Sequence, residues 1–423
     1  MFGSMLRAAL LVPLSLTFVV ACKDAPTSPP SSPPDPALQR RAETLARRVL
    51  ILDGHVDLPW RLYRSQDPEG RVTEDVSVRT PKGDFDWVRA KAGGLDAPFM
   101  SIYTPSSYEE KGGAKAFADA RIDAVEGVVA RAPDKFALAR SPAEVRDAFA
   151  KGKIALPMGL ENGSPLEGEL ENLRHFHRRG VRYITLAHSD DNHLADSSYD
   201  SRHTNGGLSA FGRQVVAEMN RLGVLVDVSH LSDEATRQAV ALSEVPVIAS
   251  HSGARHFTPG WERNLSDELL RAIADKGGVV QVNFGSSFVD DEARESWDAL
   301  SKKLRAELKA RGLTWMDDAA KPVIERFYQE NKGKYATVEQ VADHIDYIAK
   351  LVGKDHVGLG SDFDGVGDTL PVGLKDASQY PNLIRVLLQR GYSEADVEKI
   401  CSGNVLRVWQ AAEDYAARAR AAR

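Results

Sequence analysis

The stretches VLVDVSH (residues 224–230) and VIASHS (247–252) each run through apolar residues and stop at a histidine in a polar setting. The same shape recurs along the chain. ILDGHVDLP (51–59) carries His55 and Asp57, and IALPMGLEN (154–162) ends at Glu161. YITLAHSD (183–190) ends at His188, and VGLGSDFDG (357–365) at Asp362. Short continuous apolar runs are expected of parallel strands buried on both faces. Ionisable residues that repeatedly terminate them imply strands converging on one polar mouth. In a (β/α)8 barrel that mouth is the C-terminal face, where catalytic residues sit.

Working outward, eight strands are expected near 49–55, 98–103, 154–160, 182–187, 224–229, 246–250, 278–283 and 356–361. Helical patterns separate most of them. Ser141-Pro142-Ala143-Glu144 and Thr337-Val338-Glu339-Gln340 have the form of capping boxes, and Ser232 precedes the acidic pair Asp233 and Glu234. This alternation predicts an α/β fold, a TIM barrel, more than an open doubly wound sheet. Residues 61–97 and 286–335 exceed a minimal barrel. Both follow strands, so both are expected as insertions over the C-terminal face.

The N-terminus reads as a targeting segment. Arg7 precedes an apolar run from Ala8 to Val20, too short for a stable membrane span, and Val19-Val20-Ala21-Cys22 resembles a bacterial lipobox. Residues 1–22 are therefore expected as a lipoprotein signal, with Cys22 the lipidated residue of an exported, membrane-anchored protein of a bacterial cell envelope. Residues 23–36, rich in Pro and Ser, would form an extended tether. Residues 37–423 would form one catalytic domain. Net charge is −6, which argues against a nucleic-acid partner. With Cys22 lipidated, the second cysteine, Cys401, stays unpaired and is expected to be a buried small side chain.

Residues two apart on a strand point to one side, so His55 and Asp57 can face a single metal ion. Glu161, His230 and His251 occupy the equivalent position on other strands. His175, His177 and His193 are expected to face solvent, and His356, which begins its strand, to lie at the opposite end of the barrel. Imidazole and carboxylate without thiolate suit Zn²⁺. Five ligands exceed what one catalytic zinc takes, whereas two ions sharing a carboxylate use all five. Cations about 3.5–4 Å apart need an anionic bridge. Glu161 is the natural one, with a bridging water, ionised near neutral pH, as a nucleophile for hydrolysis.

These residues carry a family resemblance. HVD (55–57), GLEN (159–162), LAHSDDN (186–192), DVSH (227–230), SHSGAR (250–255), RN (263–264), VADHIDYI (341–348) and GLGSDFDG (358–365) are similar in order and spacing to the membrane (renal) dipeptidase family of the amidohydrolase superfamily. The match runs from about residue 45 to 412. The resemblance implies a barrel that hydrolyses dipeptides with two zinc ions, often tolerating a C-terminal D-residue, and often as a homodimer. By position, His55 and Asp57 would bind one zinc and His230 and His251 the other, with Glu161 bridging. His188, Arg263 and Asp362 would correspond to the substrate-binding and acid/base residues.

Physical chemistry is compatible with those roles and leaves others open. Arg263 can grip a carboxylate by two parallel hydrogen bonds, or be a surface residue of the WERN loop. His188 can donate to a developing oxyanion, or act as a further metal ligand or the partner of one. Asp362 can take a proton from water or hold the substrate amine, with Asp364 and Asp368 as competitors; Asp364 is expected to point away. A different amidohydrolase would typically open with His-x-His and use a carboxylated lysine, where this chain has His-x-Asp and Glu161. A solute-binding lipoprotein would lack the roles offered by Asp362 and Arg263.

Overall fold

Residues 35–315 and 317–422 are described in the computed structural model. Its strands are β1 (Ile51–Val56), β2 (Leu95–Tyr103), β3 (Phe136–Leu138), β4 (Ile154–Leu156), β5 (Met158–Glu161), β6 (Val181–Thr185), β7 (Leu225–Asp227), β8 (Ile248–Ala249), β9 (Val279–Val282) and β10 (Val357–Leu359). Eight close a barrel in the order β1-β10-β9-β8-β7-β6-β5-β2. Its pairings are parallel, and β1 meets β10 through Asp53 opposite Leu359. With helices between strands, this is a (β/α)8 TIM barrel. The expected signal segment, Cys22 and residues 23–34 of the tether lie outside the described residues; the first helix is Pro36–Arg48.

The run at 154–160 is two strands where one was expected. Pro157 has no N–H and cannot donate to a ladder. Ile154–Leu156 therefore pairs with Phe136–Leu138 in a separate sheet, while Met158–Glu161 joins the barrel between β2 and β6. The helix starts follow their caps: the side chains of Ser141, Ser232 and Thr337 accept from the amides of Glu144, Ala235 and Gln340. Only Thr337 completes its box, because Glu144 turns back to the Arg140 amide instead of Ser141. Cys401 is buried, as expected, and burial pushes its thiol up to about 12.

The two insertions differ. Within 61–97, Arg61 pairs with Asp364 at 2.6 Å and the Asp84 amide donates to the same carboxylate at 2.7 Å. This segment braces the rim of the mouth, and Asp364 does point away from the cavity. The second insertion, with helices Asp291–Ala310 and Lys321–Glu330, has an apolar core of its own built on Trp297, Leu304, Leu308 and Phe327. It overhangs the mouth.

Candidate metal centre

A cavity of about 530 Å³ opens at the C-terminal end of the barrel, and its floor holds Asp57, Glu161, His188, His230, His251 and Asp362. Each is at or within three residues of a strand end, which is why the barrel gathers them. Several of these strand ends turn through left-handed backbone: Asn162, His230 and Asp362 have φ of 76°, 67° and 62°. Positive φ is uncommon outside glycine and carries a cost of order 1–3 kcal/mol. The His230 and Asp362 side chains face the cavity, while Asn162 ties the loop through the Thr104 carbonyl and Asn192.

Glu161 is the hub. Its Oε2 lies 3.3 Å from His55 Nε2, which is itself 3.3 Å from Asp57 Oδ2. Its Oε1 lies 3.2 Å from His230 Nε2, 3.4 Å from His188 Nε2 and 3.5 Å from His251 Nε2. Ser101 donates to Oε2 at 2.9 Å. Against the cost of burial, His55 and His188 hold the Glu161 carboxyl well below the usual range, so it is ionised. Three groups have ligand atoms within 4.8 Å of one another: His55, Glu161 and His251; Glu161, His188 and His230; and His55, Asp57 and Asp362. The expected pairing of His230 with His251 is one way to divide them, since their Nε2 atoms are 2.8 Å apart. These groups divide them otherwise, with His251 beside His55, ring centroids 3.8 Å apart, and His188 over His230 at 4.0 Å.

Hydrogen bonds behind the histidines decide which nitrogen is free. The Tyr183 hydroxyl can donate to the Gly54 carbonyl at 3.2 Å and accept from His55 Nδ1 at 2.9 Å. The Ser250 hydroxyl donates to Asp227 at 2.6 Å and accepts from His251 Nδ1 at 2.7 Å. Both arrangements keep a proton on Nδ1 and turn Nε2 toward Glu161. His55 Nε2 is buried without a hydrogen-bond partner. Burial, with Arg263 adding for His230 and His55 for His251, holds these two imidazoles well below their ordinary pKa and neutral. At His55 burial is outweighed, and Tyr183, Glu161 and Asp57 hold its imidazole well above the ordinary value. A cation at its orphaned Nε2 would displace that proton, and the neutral His230 and His251 beside an ionised carboxylate fit a metal cofactor.

Sequence reasoning missed the supports. Asp227 bridges three strands: it accepts from Thr185 Oγ1 at 2.5 Å, from Ser250 N at 2.8 Å and from Ser229 N at 3.1 Å. Asp53 accepts from the His55 amide at 2.9 Å, from the Ser361 amide at 3.0 Å and from the Tyr380 hydroxyl. The available signal was an acid inside an apolar run, as in VLVDV and ILDG. Tyr183 offered none, because it reads as an ordinary strand aromatic. It reaches His55 because Gly159 makes room: a Cβ there would lie 2.0 Å from the tyrosine ring.

Arg263 is buried, not a surface residue. It donates to Ser252 Oγ at 2.8 Å, to the His251 carbonyl at 2.9 Å and toward His230 Nε2 at 3.1 Å. Asp362 accepts from Asn283 at 2.8 Å. Burial pushes its carboxyl up to about 7; Asp57 and Glu161 add to the rise and His55 opposes it. Asp368 lies outside, paired with Lys332 at 2.6 Å. His175, His177 and His193 are half-buried where solvent was expected; His175 pairs with Asp119 and His193 with Glu109. His356, at the start of β10, binds the Gly278 carbonyl at 2.8 Å.

A model of the membrane dipeptidase family (peptidase family M19) matches residues 39–423. The dipeptidase ataJ of Aspergillus terreus is 33% identical over 411 residues, covering 90% of this chain and 89% of its own. Among solved structures, the probable dipeptidase PvdM of Pseudomonas aeruginosa is 31% identical with a TM-score of 0.74, covering 90% of this chain and 99% of its own. A metallo peptidase of Rhodobacter sphaeroides, liganded with a phosphinate mimic of the dipeptide L-Ala-D-Ala, is 26% identical with a TM-score of 0.69, covering 86% and 99%.

Proposed function

The chain belongs to the membrane dipeptidase family, peptidase family M19, and from that premise we propose that it is a two-zinc dipeptidase accepting D-residues at the C-terminal position. One observation carries the reading: the two oxygens of ionised Glu161 face different sets of ligand atoms. Oε2 faces His55, which adjoins Asp57, and Oε1 faces His230, His188 and His251, of which we assign His230 and His251 to the second ion. A shared carboxylate between two sets is what a pair of like-charged ions requires. Bound there, the ions would supply Lewis acidity at the scissile carbonyl and a water ionised near neutral pH.

The remaining roles belong to the protein's own groups. Asn283 occupies Asp362 Oδ2, leaving Oδ1 to hold a proton and return it to the departing amine. His188 Nδ1 is engaged by Ser189 at 2.7 Å, which directs Nε2 into the cavity as a donor to the carbonyl oxygen. Arg263 now shares His230 Nε2 as an acceptor, and that lone pair cannot serve both a guanidinium and a cation. Metal binding would therefore free one N–H of Arg263 Nη2, the other staying on the His251 carbonyl, to take a substrate carboxylate, coupling metal loading to substrate affinity. D-residue tolerance is supported by the Rhodobacter sphaeroides relative, whose bound mimic is of L-Ala-D-Ala.

The test is metal analysis combined with a panel of L-Ala-L-Ala, L-Ala-D-Ala, their C-terminal amides and a tripeptide. Two zinc equivalents are expected, with both dipeptides cleaved and the tripeptide poor. Amides should lose roughly 10- to 150-fold in kcat/KM, a charge-assisted pair of about 1.5–3 kcal/mol. Glu161→Gln should lose both ions together. Equal turnover of dipeptides, amides and tripeptides would overturn the dipeptidase reading, and full activity with one ion would overturn the paired site.

A further inference from the structure

The second insertion leans a helix over the cavity, and its faces are divided by task. Trp297, Leu300, Leu304 and Leu308 of Asp291–Ala310 fill the insertion's own core. Trp297, Asp298, Ser301 and Arg305 line the cavity above the metal cluster. At about 100° per residue, those four positions fall within one arc of about 100° beside the core-facing stripe. Their presence in the wall follows from the helix register, while Lys302 and Lys303 fall outside that arc.

The two charges in this wall stand in different circumstances. Asp298 is answered by Arg294 at 3.4 Å. Arg305 is exposed, and among the described residues it has no carboxylate partner. Below it the cavity wall is largely aromatic, with Trp60, Tyr103, Tyr199 and Phe288. The dipeptide's own carboxylate is assigned to Arg263, buried against His230 and the His251 carbonyl, so Arg305 is a second cation with nothing yet to bind.

We propose that Arg305 is a specificity-determining residue that selects dipeptides carrying an acidic side chain. This rests on the dipeptidase reading and adds the substrate class. The pair would form at a wet rim, so its effect is modest: about 3- to 10-fold in kcat/KM, through KM, and weakened by salt.

The experiment compares kcat and KM of the zinc-loaded enzyme on Ala-Glu against Ala-Gln and on Glu-Ala against Gln-Ala, with Ala-Ala as reference. Glu and Gln match in shape, so their ratio isolates charge. A Glu preference of several fold at either position is expected. It should shrink at 0.5 M salt, collapse toward unity in Arg305→Gln, and invert in favour of Gln over Glu in Arg305→Glu. Equal use of Glu and Gln by the wild type, or a preference unchanged in Arg305→Gln, overturns the assignment while leaving dipeptidase activity intact. Failure on every dipeptide, Ala-Ala included, is the separate result that removes the dipeptidase reading, and this inference falls with it.

Discussion

At the scale of single residues, the centre depends on side chains that would touch neither metal nor substrate. Tyr183 is the sharpest case, since its hydroxyl engages His55 Nδ1 and so sets which nitrogen would keep its proton when the other takes a metal. Tyr183→Phe keeps the ring that fits against Gly159 and removes only that control. Zinc affinity, measured by chelator competition, should fall about 10- to 100-fold; unchanged affinity would mean that Tyr183 merely packs. The candidate ligands were legible in the sequence because each stands at the end of an apolar run, where one rule about barrels applies. Tyr183, Ser101 and Asn283 were not. Their partners lie 128, 60 and 79 residues away, so only the closed barrel brings the pairs together.

At the scale of elements, helix Val338–Val352 is locked to the mouth through His344. Nε2 donates to the Val289 carbonyl at 3.0 Å, and Nδ1 accepts from the Ala254 amide at 3.1 Å. Burial holds this imidazole down at about 4, the Val289 bond opposing and His256 assisting. The folded value lies below the ordinary 6.5, so folding favours the neutral ring. That contribution is complete above pH 6.5 and is lost as pH falls toward 4. Comparing the unfolding free energies of wild type and His344→Gln, the wild-type advantage should shrink by about 2 kcal/mol between pH 7 and 5. An advantage independent of pH would show that the ring is already protonated or exposed. Element boundaries were less legible than element types. Only the missing amide of Pro157 separates β4 from β5, and the three residues of β3 are too few to show a period.

At the scale of the whole molecule, the lipid anchor is the remaining expectation. Cys22→Ala would remove the proposed acyl acceptor, so the protein should appear in the soluble fraction or as unprocessed precursor. Membrane association at wild-type levels after normal processing would end that proposal. Within the barrel, the order of strands has a consequence for biosynthesis. The ring closes where β1 meets β10, the first strand to leave the ribosome against the last. Asp362 hydrogen-bonds the His55 carbonyl at that same seam, at 3.0 Å. A nascent chain can hold His55, Asp57 and Glu161 long before it can surround a cation with all its partners. Until the seam is made, the half-built sheet has two open edges, which invite pairing with a neighbouring chain. Truncation upstream of β10 should therefore yield an aggregating fragment, not a weakened enzyme, and stable metal uptake should be a late event that reports completion of the chain.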